Sequence, residues 1–317
     1  MRDLHLLPKV RDSLSFLYVE HARIEQDAQA IAVFDANGKT PVPCASLTTL
    51  LLGPGTNITH SAIKTLAASG CLVLWVGEGG VRLYAQGLGE TRSSRFLLRQ
   101  VRLWSDTLLH EQVVRRMYEM RFAESVDPSW SLQQIRGHEG IRVRRTYEGY
   151  SAATGVAWSG RNYDRKSWNN SDPINRALSS ANACLYGVCH SAILSVGCSA
   201  ALGFVHTGRQ LSFVYDIADL YKTEITIPTA FAVVGDGIQE VERRARQMVR
   251  DVVIEKELLK RVVPDLQALL DMRRDEGGEG GESEERDPDS SLLLPGELWQ
   301  SEGSAEGGIN WGAADEP

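Results

Sequence analysis

One stretch organises the chain: Gly203-Phe204-Val205-His206-Thr207-Gly208-Arg209-Gln210-Leu211-Ser212-Phe213-Val214-Tyr215-Asp216-Ile217-Ala218-Asp219-Leu220. It holds one imidazole and two carboxylates within fourteen residues. If residues 215–222 form a helix, Asp216 and Asp219 lie at i,i+3 and face the same way. A divalent cation would turn their repulsion into ligation, and His206 could close on the same ion. The alternative is that the aspartates only cap a helix and that His206 is an ordinary surface or core group.

The composition is that of an ordinary soluble protein with room for two domains. The chain has 317 residues, of which 43% are hydrophobic and 24% are charged, enough for a core in each of two domains. We interpret the apolar run 189–205 as a buried helix and not as a membrane span. With no secretory leader and no C-x-x-C pair, we expect a cytoplasmic protein with reduced thiols at Cys44, Cys71, Cys184, Cys189 and Cys198.

The net charge of −7 conceals a division between body and tail. Residues 275–317 hold thirteen acids and one base, a net charge of −12. The remaining 33 bases and 28 acids give residues 1–274 a net charge of +5. A basic body with an acidic tail fits a polyanionic partner, whereas a tail that serves only solubility is the alternative.

The hydrophobic pattern changes from strands to helices near residue 87. Residues 1–86 show short apolar segments separated by turns, with a hairpin turn at residues 35–38 and one helix at residues 59–69. A linker follows at residues 87–92. Residues 93–274 carry apolar residues at helical spacing over 95–104, 108–122, 132–153, 172–196, 215–222 and 240–263. We therefore predict an α+β protein, with a small amino-terminal β-rich domain and a larger all-α catalytic domain.

The composition changes again beyond residue 274. The glycine- and glutamate-rich sequence cannot bury enough apolar surface to fold, so residues 275–317 are predicted to be a disordered acidic tail. An apolar island at residues 291–299 interrupts it. This island could fold onto a partner.

Arginines follow helix faces in the second domain. Arg243, Arg246 and Arg250 lie at i, i+3 and i+7 and form one stripe, and the same spacing recurs at Arg95, Arg99 and Arg102. Cations alternate with aromatic rings, as needed to hold phosphates while unpaired bases stack, at Arg161, Tyr163, Arg165, Lys166 and Trp168. One such pattern is typical of a solvated face, but together they favour nucleic-acid binding.

Glu139 stands among bases and has Gly137 and Gly140 close by. Each glycine inside a helix costs about 1 kcal/mol relative to alanine, which is acceptable if a bulky backbone approaches there. Glu139 is then the candidate third metal ligand. The alternative is an ion pair with Arg136 or Arg142 at three-residue spacing.

Several segments, above all residues 203–222, resemble the Cas-one family of CRISPR-associated spacer-acquisition integrases. The other similar segments are 51–56, 74–82, 134–143, 158–164 and 183–187. The resemblance extends over about residues 10–265, is closest to the type I-E, Cascade-associated branch, and fades in the tail.

The resemblance implies a metal site of Glu139, His206 and Asp219 for Mg2+ or Mn2+, with Asp216 at a second acidic position. It implies a homodimer, two of which clamp a central Cas-two dimer in a heterohexamer. Its DNA would be a duplex prespacer with single-stranded 3′ ends and the CRISPR repeat.

Positions similar to the family's DNA contacts are Arg82, Tyr163, Trp168, Tyr186, Arg209, Lys222, Arg243 and Arg246, and the basic surface adds Arg136, Arg161 and Arg250. At His21 the sequence departs from the branch, in which a tyrosine can stack on the end of the duplex. The apolar island could act like the branch's carboxy-terminal segment, which orders on binding the protospacer-adjacent motif.

The implied reaction is a metal-dependent transesterification, in which a prespacer 3′-hydroxyl attacks a phosphodiester of the repeat without a protein nucleophile. Asp216 could hold a water or Lys222 beside the metal. Two alternatives remain. A structure-selective endonuclease would use the same metal with water as the attacking group, and a non-catalytic DNA-binding scaffold would need only the arginine faces.

Overall fold

The structure, a computed structural model, has strands in its amino-terminal part and helices in the rest, which confirms the predicted α+β class. It describes residues 16–44, 47–87, 94–122, 125–161, 172–271, 298–300 and 303–305. The predicted linker, apart from Gly87, lies outside the described residues. So does the predicted tail, apart from the short antiparallel strands β9 (Leu298–Gln300) and β10 (Gly303–Ala305).

The amino-terminal part contains two four-stranded sheets. The first has the strand order β1 (Phe16–Val19), β5 (Thr49–Leu52), β7 (Leu72–Val76) and β8 (Leu83–Gly87). The second has the order β4 (Gly38–Val42), β3 (Ala30–Asp35), β2 (Arg23–Asp27) and β6 (Asn57–Ile58). In the first sheet only β7 and β8 are antiparallel, and in the second only β2 and β6 are parallel. The hairpin turn predicted at residues 35–38 joins β3 to β4.

One helix, α1 (His60–Ala68), packs against β2, β3 and β7. The Thr59 hydroxyl accepts a hydrogen bond from the Ala62 N–H at 3.3 Å and caps its start. Leu66 of α1 is fully buried in one core with Ile24 and Leu50, which come from different sheets. The helix predicted at residues 59–69 is confirmed, and it joins the two sheets into one domain core.

The rest of the described chain forms eight helices. They are α2 (Arg95–Ser105), α3 (Thr107–Phe122), α4 (Leu132–Thr154), α5 (Pro173–Val196), α6 (Ser212–Asp219), α7 (Thr226–Gly235), α8 (Val241–Glu255) and α9 (Leu258–Leu269). The central helix is α5, which contacts α6, α7, α8 and α9. None of the helices in the described ranges combines the length and apolarity needed to cross a bilayer. All five cysteines are buried and free of disulfides, as predicted.

The helical predictions need four corrections. The buried helix predicted at residues 189–205 ends at Val196, where Gly197 adopts φ 94° and begins a loop. The helix predicted at residues 240–263 is two helices, because Glu257 with φ 48° breaks the chain between α8 and α9. The helix α6 begins at Ser212 and not at residue 215. The sequence did not indicate α7, whose many buried residues give it no polar face.

The helical part packs directly on the loop between β7 and β8. A Cβ added to Gly187 of α5 would lie 2.5 Å from the Arg82 Cα and the Val81 carbonyl oxygen. Gly79, with φ 63°, lies in the same way against the side chain of Arg250 on α8. These close contacts place the exposed side chain of Arg82 beside the helical domain.

A candidate active site in the helical domain

Two side chains of α2 hold the loop between α5 and α6. Gln100 is fully buried, and its amide donates hydrogen bonds to the carbonyls of Ser199 and Leu202 at 3.0 and 3.1 Å. Its carbonyl oxygen accepts from the Ser199 N–H at 2.7 Å. The Trp104 indole donates to the Gly203 carbonyl at 3.1 Å. Side chains of a helix thus form hydrogen bonds with these backbone groups of the loop, which has no regular secondary structure of its own.

Gly203 begins a tight turn that carries His206. A Cβ at this position would lie 2.3 Å from the His206 carbonyl oxygen and 2.8 Å from the backbone carbon of Ser212. Because both obstacles are backbone atoms, a side chain at residue 203 would displace the turn. The Phe213 N–H donates to the Ala200 carbonyl at 2.9 Å and closes the loop onto the start of α6.

Asp216 organises this turn. Its side chain is fully buried and its carboxylate accepts hydrogen bonds from the N–H groups of Phe204, Val205 and His206 at 2.6, 3.1 and 2.8 Å. The His206 ring donates through Nδ1 at 2.7 Å. Asp216 therefore binds the loop, and together with Asp219 it also lines one small cavity. It holds backbone N–H groups and not Lys222.

Asp219 lies between two cations. Its Oδ1 atom lies 2.5 Å from the Lys222 ammonium, and its Oδ2 atom lies 3.6 Å from Nη1 of Arg121. The Asp219 Oδ1 atom is buried and lacks a partner with hydrogen-bond geometry in the described part of the chain. Lys222 also lies over the Tyr186 ring at 5.2 Å. Although burial opposes its charge, Asp219 and Tyr186 hold the pKa of Lys222 above its ordinary value.

Glu139, on α4, forms an ion pair with Arg121 of α3, and the Tyr118 hydroxyl nearby favours its charged form. The partner in this ion pair is Arg121, whereas the sequence had suggested Arg136 or Arg142 as the alternative. Burial raises the pKa of Glu139, Arg121 opposes this effect, and the charge of Asp219 adds to it.

The glycines beside Glu139 do not show the close contact that we expected. A Cβ on Gly137 or Gly140 would meet no atom within 4 Å among the described residues. Their backbone is open on that side, and no described segment of this chain explains their presence in α4.

Arg121 is the residue that the sequence did not indicate. It lies in the last turn of α3, where a basic residue is favourable for the helix dipole and gives no sign of a site. Its Nη1 atom contacts both Glu139 and Asp219, so a single nitrogen joins α3 to α4 and α6. A small cavity beside it is lined by Met117, Tyr118, Arg121, Val205, Asp216, Asp219 and Leu220.

His206 is partly exposed and close enough to the acids for their charges to act on it. The hydrogen bond that the His206 ring donates to Asp216 raises the pKa of His206 against the effect of burial, and the charge of Asp219 raises it further. With Nδ1 committed to Asp216, Nε2 is the nitrogen available to a ligand.

The predicted metal ligands fit a divalent cation by chemistry but do not form a ready coordination sphere. Two carboxylates and an imidazole are donors that suit Mn2+ and, less closely, Mg2+. In the described ranges, however, no three His, Cys, Asp or Glu side chains are grouped closely enough to hold a metal. The guanidinium of Arg121 lies against both Glu139 and Asp219, so it stands where a shared cation would bind.

The predicted DNA contacts fall into three groups. Exposed side chains are those of Arg82, Arg136, Arg161, Arg209 and Arg243, and partly buried ones are those of Tyr186, Lys222, Arg246 and Arg250. Tyr163 and Trp168 lie outside the described residues.

Several of these arginines already have partners within the chain. Arg161 donates to the Asn175 side chain at 3.1 Å, and Arg250 pairs with Glu78 and with Asp251. His21 is exposed and has φ 50°.

The fold and the site together define a two-domain α+β protein whose helical domain carries a largely buried cluster of acids and arginine beside a partly exposed histidine. The family model described as CRISPR associated protein Cas1 matches residues 108–268. The CRISPR-associated endonuclease Cas1 2 of Thermus thermophilus is 50% identical over 314 residues, which cover 99% of this chain and 95% of that relative. This chain belongs to the Cas1 family, the Cas-one family of the resemblance.

Other relatives and solved structures agree with this assignment. The CRISPR-associated endonuclease Cas1 of Escherichia coli K12 is 41% identical over 82% of this chain and 86% of its own length. The crystal structure of a TtCas1-DNA complex has a TM-score of 0.78 and 52% identity, covering 83% of this chain and 99% of that one. A casposase bound to an integration product shares the fold, with a TM-score of 0.60 and 14% identity over 82% of this chain and 96% of that one.

Proposed function

We propose that this protein is a CRISPR adaptation integrase, which joins the 3′-hydroxyl ends of prespacer DNA to a CRISPR repeat by metal-dependent transesterification. The observation that carries the proposal is the meeting of Glu139 and Asp219 on a single nitrogen of Arg121. Acids from two helices that share one cation position are the arrangement that a phosphoryl-transfer site needs. Membership of a family whose curated relatives are named endonucleases supports the same chemistry.

Glu139, His206 and Asp219 would hold Mg2+ or Mn2+, which polarises a phosphoryl oxygen and stabilises the leaving oxygen when bound. Asp216 keeps the proton of His206 on Nδ1, so that Nε2 stays a ligand. Lys222, held by Asp219, adds positive charge beside the site and opposes the charge that develops on the phosphate.

The reaction exchanges one phosphodiester for another. The oxygen of the prespacer 3′-hydroxyl bonds to the phosphorus of the repeat, the bond to the repeat 3′-oxygen breaks, and the proton of the attacking hydroxyl passes to the leaving oxygen or to solvent. The chain's own residues position these groups, and none of them forms a covalent bond to DNA.

The exposed arginines support DNA as the partner. They lie on a body with a net charge of +5 over residues 1–274, whose 33 bases exceed its 28 acids. The relative whose structure is described as a Cas1-DNA complex is 52% identical to this chain. Neutralised phosphates release counterions, so we expect affinity for prespacer DNA to fall steeply with salt.

The assembly that we propose is a homodimer, two of which hold a Cas-two dimer in a heterohexamer. The assignment to the type I-E branch and the cytoplasmic location remain predictions. In this assembly the repeat and the prespacer are both duplex DNA, with single-stranded 3′ ends on the prespacer.

A structure-selective, metal-dependent endonuclease is the second candidate. The same side chains would serve it, with water in place of the 3′-hydroxyl. The names of the curated relatives favour this activity as much as the first. A non-catalytic DNA-binding scaffold would not need buried acids at a shared cation position, and the cluster therefore argues against it.

The deciding experiment combines this protein with Cas-two, a supercoiled repeat plasmid and a labelled prespacer. We expect integration with Mn2+ or Mg2+ and none when the prespacer ends in a dideoxynucleotide. Glu139→Ala, His206→Ala and Asp219→Ala should each reduce strand transfer at least about 100-fold, more than a typical loss of a residue that only supports a ligand. Glu148→Ala, an exposed glutamate of the same helix α4, is the matched control.

The outcomes separate the candidates. Cleavage that continues with blocked 3′ ends supports the endonuclease. Full strand transfer by all three alanine variants contradicts the proposed site, and DNA binding alone without metal supports the scaffold.

A further inference from the structure

Arg121 is held among acids at the centre of the candidate site. Its side chain is 14% exposed, and those of Glu139 and Asp219 are 18% and 17% exposed. Charges removed from water to this extent require close compensation. The guanidinium provides it for both carboxylates through one nitrogen, which is the position that a shared metal ion would take.

The charges of the cluster disfavour the presence of both cations at once. Glu139 and Asp219 carry two negative charges, and Arg121 and Lys222 already carry two positive ones. A divalent ion added to these four groups would leave two excess positive charges, of which the buried Asp216 carboxylate beside them offsets at most one. Departure of the Arg121 guanidinium lowers that excess and also frees the carboxylate oxygens for the ion.

The Arg121 guanidinium does not make all of its possible hydrogen bonds in this position. Its Nε atom is buried and has no hydrogen-bond partner in the described part of the chain. Arginine offers five donors in a planar fork, and a phosphate group accepts two of them side by side. A phosphodiester of bound DNA would give Arg121 the partner that it lacks among the acids.

We propose that Arg121 is a displaceable placeholder for the metal: it holds Glu139 and Asp219 together in the free protein and leaves them for a DNA phosphate when DNA binds. This inference rests on the proposed metal site. Guanidinium and metal exclude each other, and DNA favours the state in which the metal can bind. Linkage then requires DNA and metal to strengthen each other's binding by the same factor.

The test measures Mn2+ binding and not catalysis. Free Mn2+ is followed by electron paramagnetic resonance in titrations of the full chain, with and without duplex DNA whose 3′ ends are blocked. Arg121→Met should bind Mn2+ at least about 10-fold more tightly than wild type without DNA, since a coupling of this size is typical. DNA should tighten Mn2+ binding by wild type and leave Arg121→Met unchanged.

Arg115→Met is the matched control. Arg115 lies on the same helix and pairs with Glu111 at 2.8 Å, outside the cluster. It should behave as wild type in both titrations. If Arg121→Met folds poorly, as judged by circular dichroism, Arg121→Lys serves instead. The lysine side chain is shorter and carries a single ammonium group, which we expect to contact only one of the two carboxylates. We expect its Mn2+ affinity to exceed that of wild type.

The outcomes separate this inference from the proposed function. Equal Mn2+ affinity of wild type and Arg121→Met, with binding abolished by Glu139→Gln, overturns the placeholder and leaves the metal site standing. A DNA effect that persists in Arg121→Met also overturns it. Absence of Mn2+ binding in every variant overturns both, whereas tight binding without strand transfer contradicts the proposed function alone.

Discussion

Asp216 and His206 are joined twice. One oxygen of Asp216 accepts hydrogen bonds from both the backbone N–H and the ring Nδ1 of His206, at 2.8 and 2.7 Å. Because a carboxylate only accepts, the proton lies on Nδ1, which fixes the tautomer. The two hydrogen bonds together fix the position of the His206 backbone and the orientation of its ring.

Asp216→Asn should lower the pKa of His206. The hydrogen bond that the ring donates to the Asp216 carboxylate raises this pKa above the ordinary value of 6.5, and a neutral amide lacks the negative charge that favours the protonated ring. Protonated His206 therefore contributes stability that is full below pH 6.5 and is lost as pH rises through the raised pKa. NMR titration of the His206 ring in metal-free protein, compared with Asp251→Asn, measures the shift. An unchanged pKa would show that the contact is not formed in solution.

The backbone contacts of Asp216 give a second expectation for the same variant. An amide has one acceptor oxygen where the carboxylate has two, so it leaves some of the three loop N–H groups without an acceptor. Each unsatisfied N–H group costs about 1–3 kcal/mol. Chemical denaturation of Asp216→Asn should show this loss in the free energy of unfolding. It should persist at pH values at which His206 is neutral, because the backbone N–H groups do not titrate.

Gly203→Ala should distort the turn. The new methyl group would lie 2.3 Å from the His206 carbonyl oxygen, and backbone on both sides must move. Overpacking of this kind costs about 1–3 kcal/mol. Gly140→Ala, in an open part of α4, should instead stabilise the protein by up to about 1 kcal/mol. Thermal unfolding of the two variants checks both signs, and a stable Gly203→Ala would contradict the packing around the turn.

Gln100→Glu tests how far α2 controls the loop. The substitution keeps the shape of the buried side chain but sets a carboxylate against the carbonyls of Ser199 and Leu202. The loss of these donors should cost about 1–3 kcal/mol. Hydrogen exchange should quicken at the Ser199 N–H, whereas the exposed control Gln26→Glu should change neither quantity. Unaltered protection at Ser199 would remove α2 from the support of the site.

The sequence revealed the local part of the site and missed its long-range part. His206, Asp216 and Asp219 lie close together in the chain, so their spacing already indicated a cluster. Arg121 meets Asp219 across 98 positions, and only packing of α3 against α4 and α6 brings them together. The spacing of Asp216 and Asp219 indicated that the two carboxylates lie close together, and both line one cavity. It did not indicate that Asp216 binds the backbone N–H groups of the loop before α6.

The same distinction between local pattern and long-range packing applies to the fold. Amphipathic helices such as α8 could be predicted because apolar residues recur at helical spacing between charged ones. The helix α7 is mostly apolar and shows no such pattern. The break at Glu257 was hidden because neither glycine nor proline marks it; the residue adopts φ 48° without a sequence signal. Tertiary contacts, and not local preference, place that break.

Glu224 provides a prediction for acid stability. Hydrogen bonds from Arg261 at 2.9 and 3.0 Å and from Lys256 at 3.0 Å lower the pKa of Glu224 to about 2. A lowered pKa contributes stability that is full above the ordinary value of 4.5 and is lost as pH falls towards about 2. Glu224→Gln should thus lower the melting temperature near pH 7 and have no effect near pH 2. Solvent screens these pairs, so the loss should stay near or below about 1 kcal/mol and shrink in high salt. The control is Glu255→Gln, at an exposed glutamate on α8, and a constant effect of Glu224→Gln across this range would contradict the ion pairs.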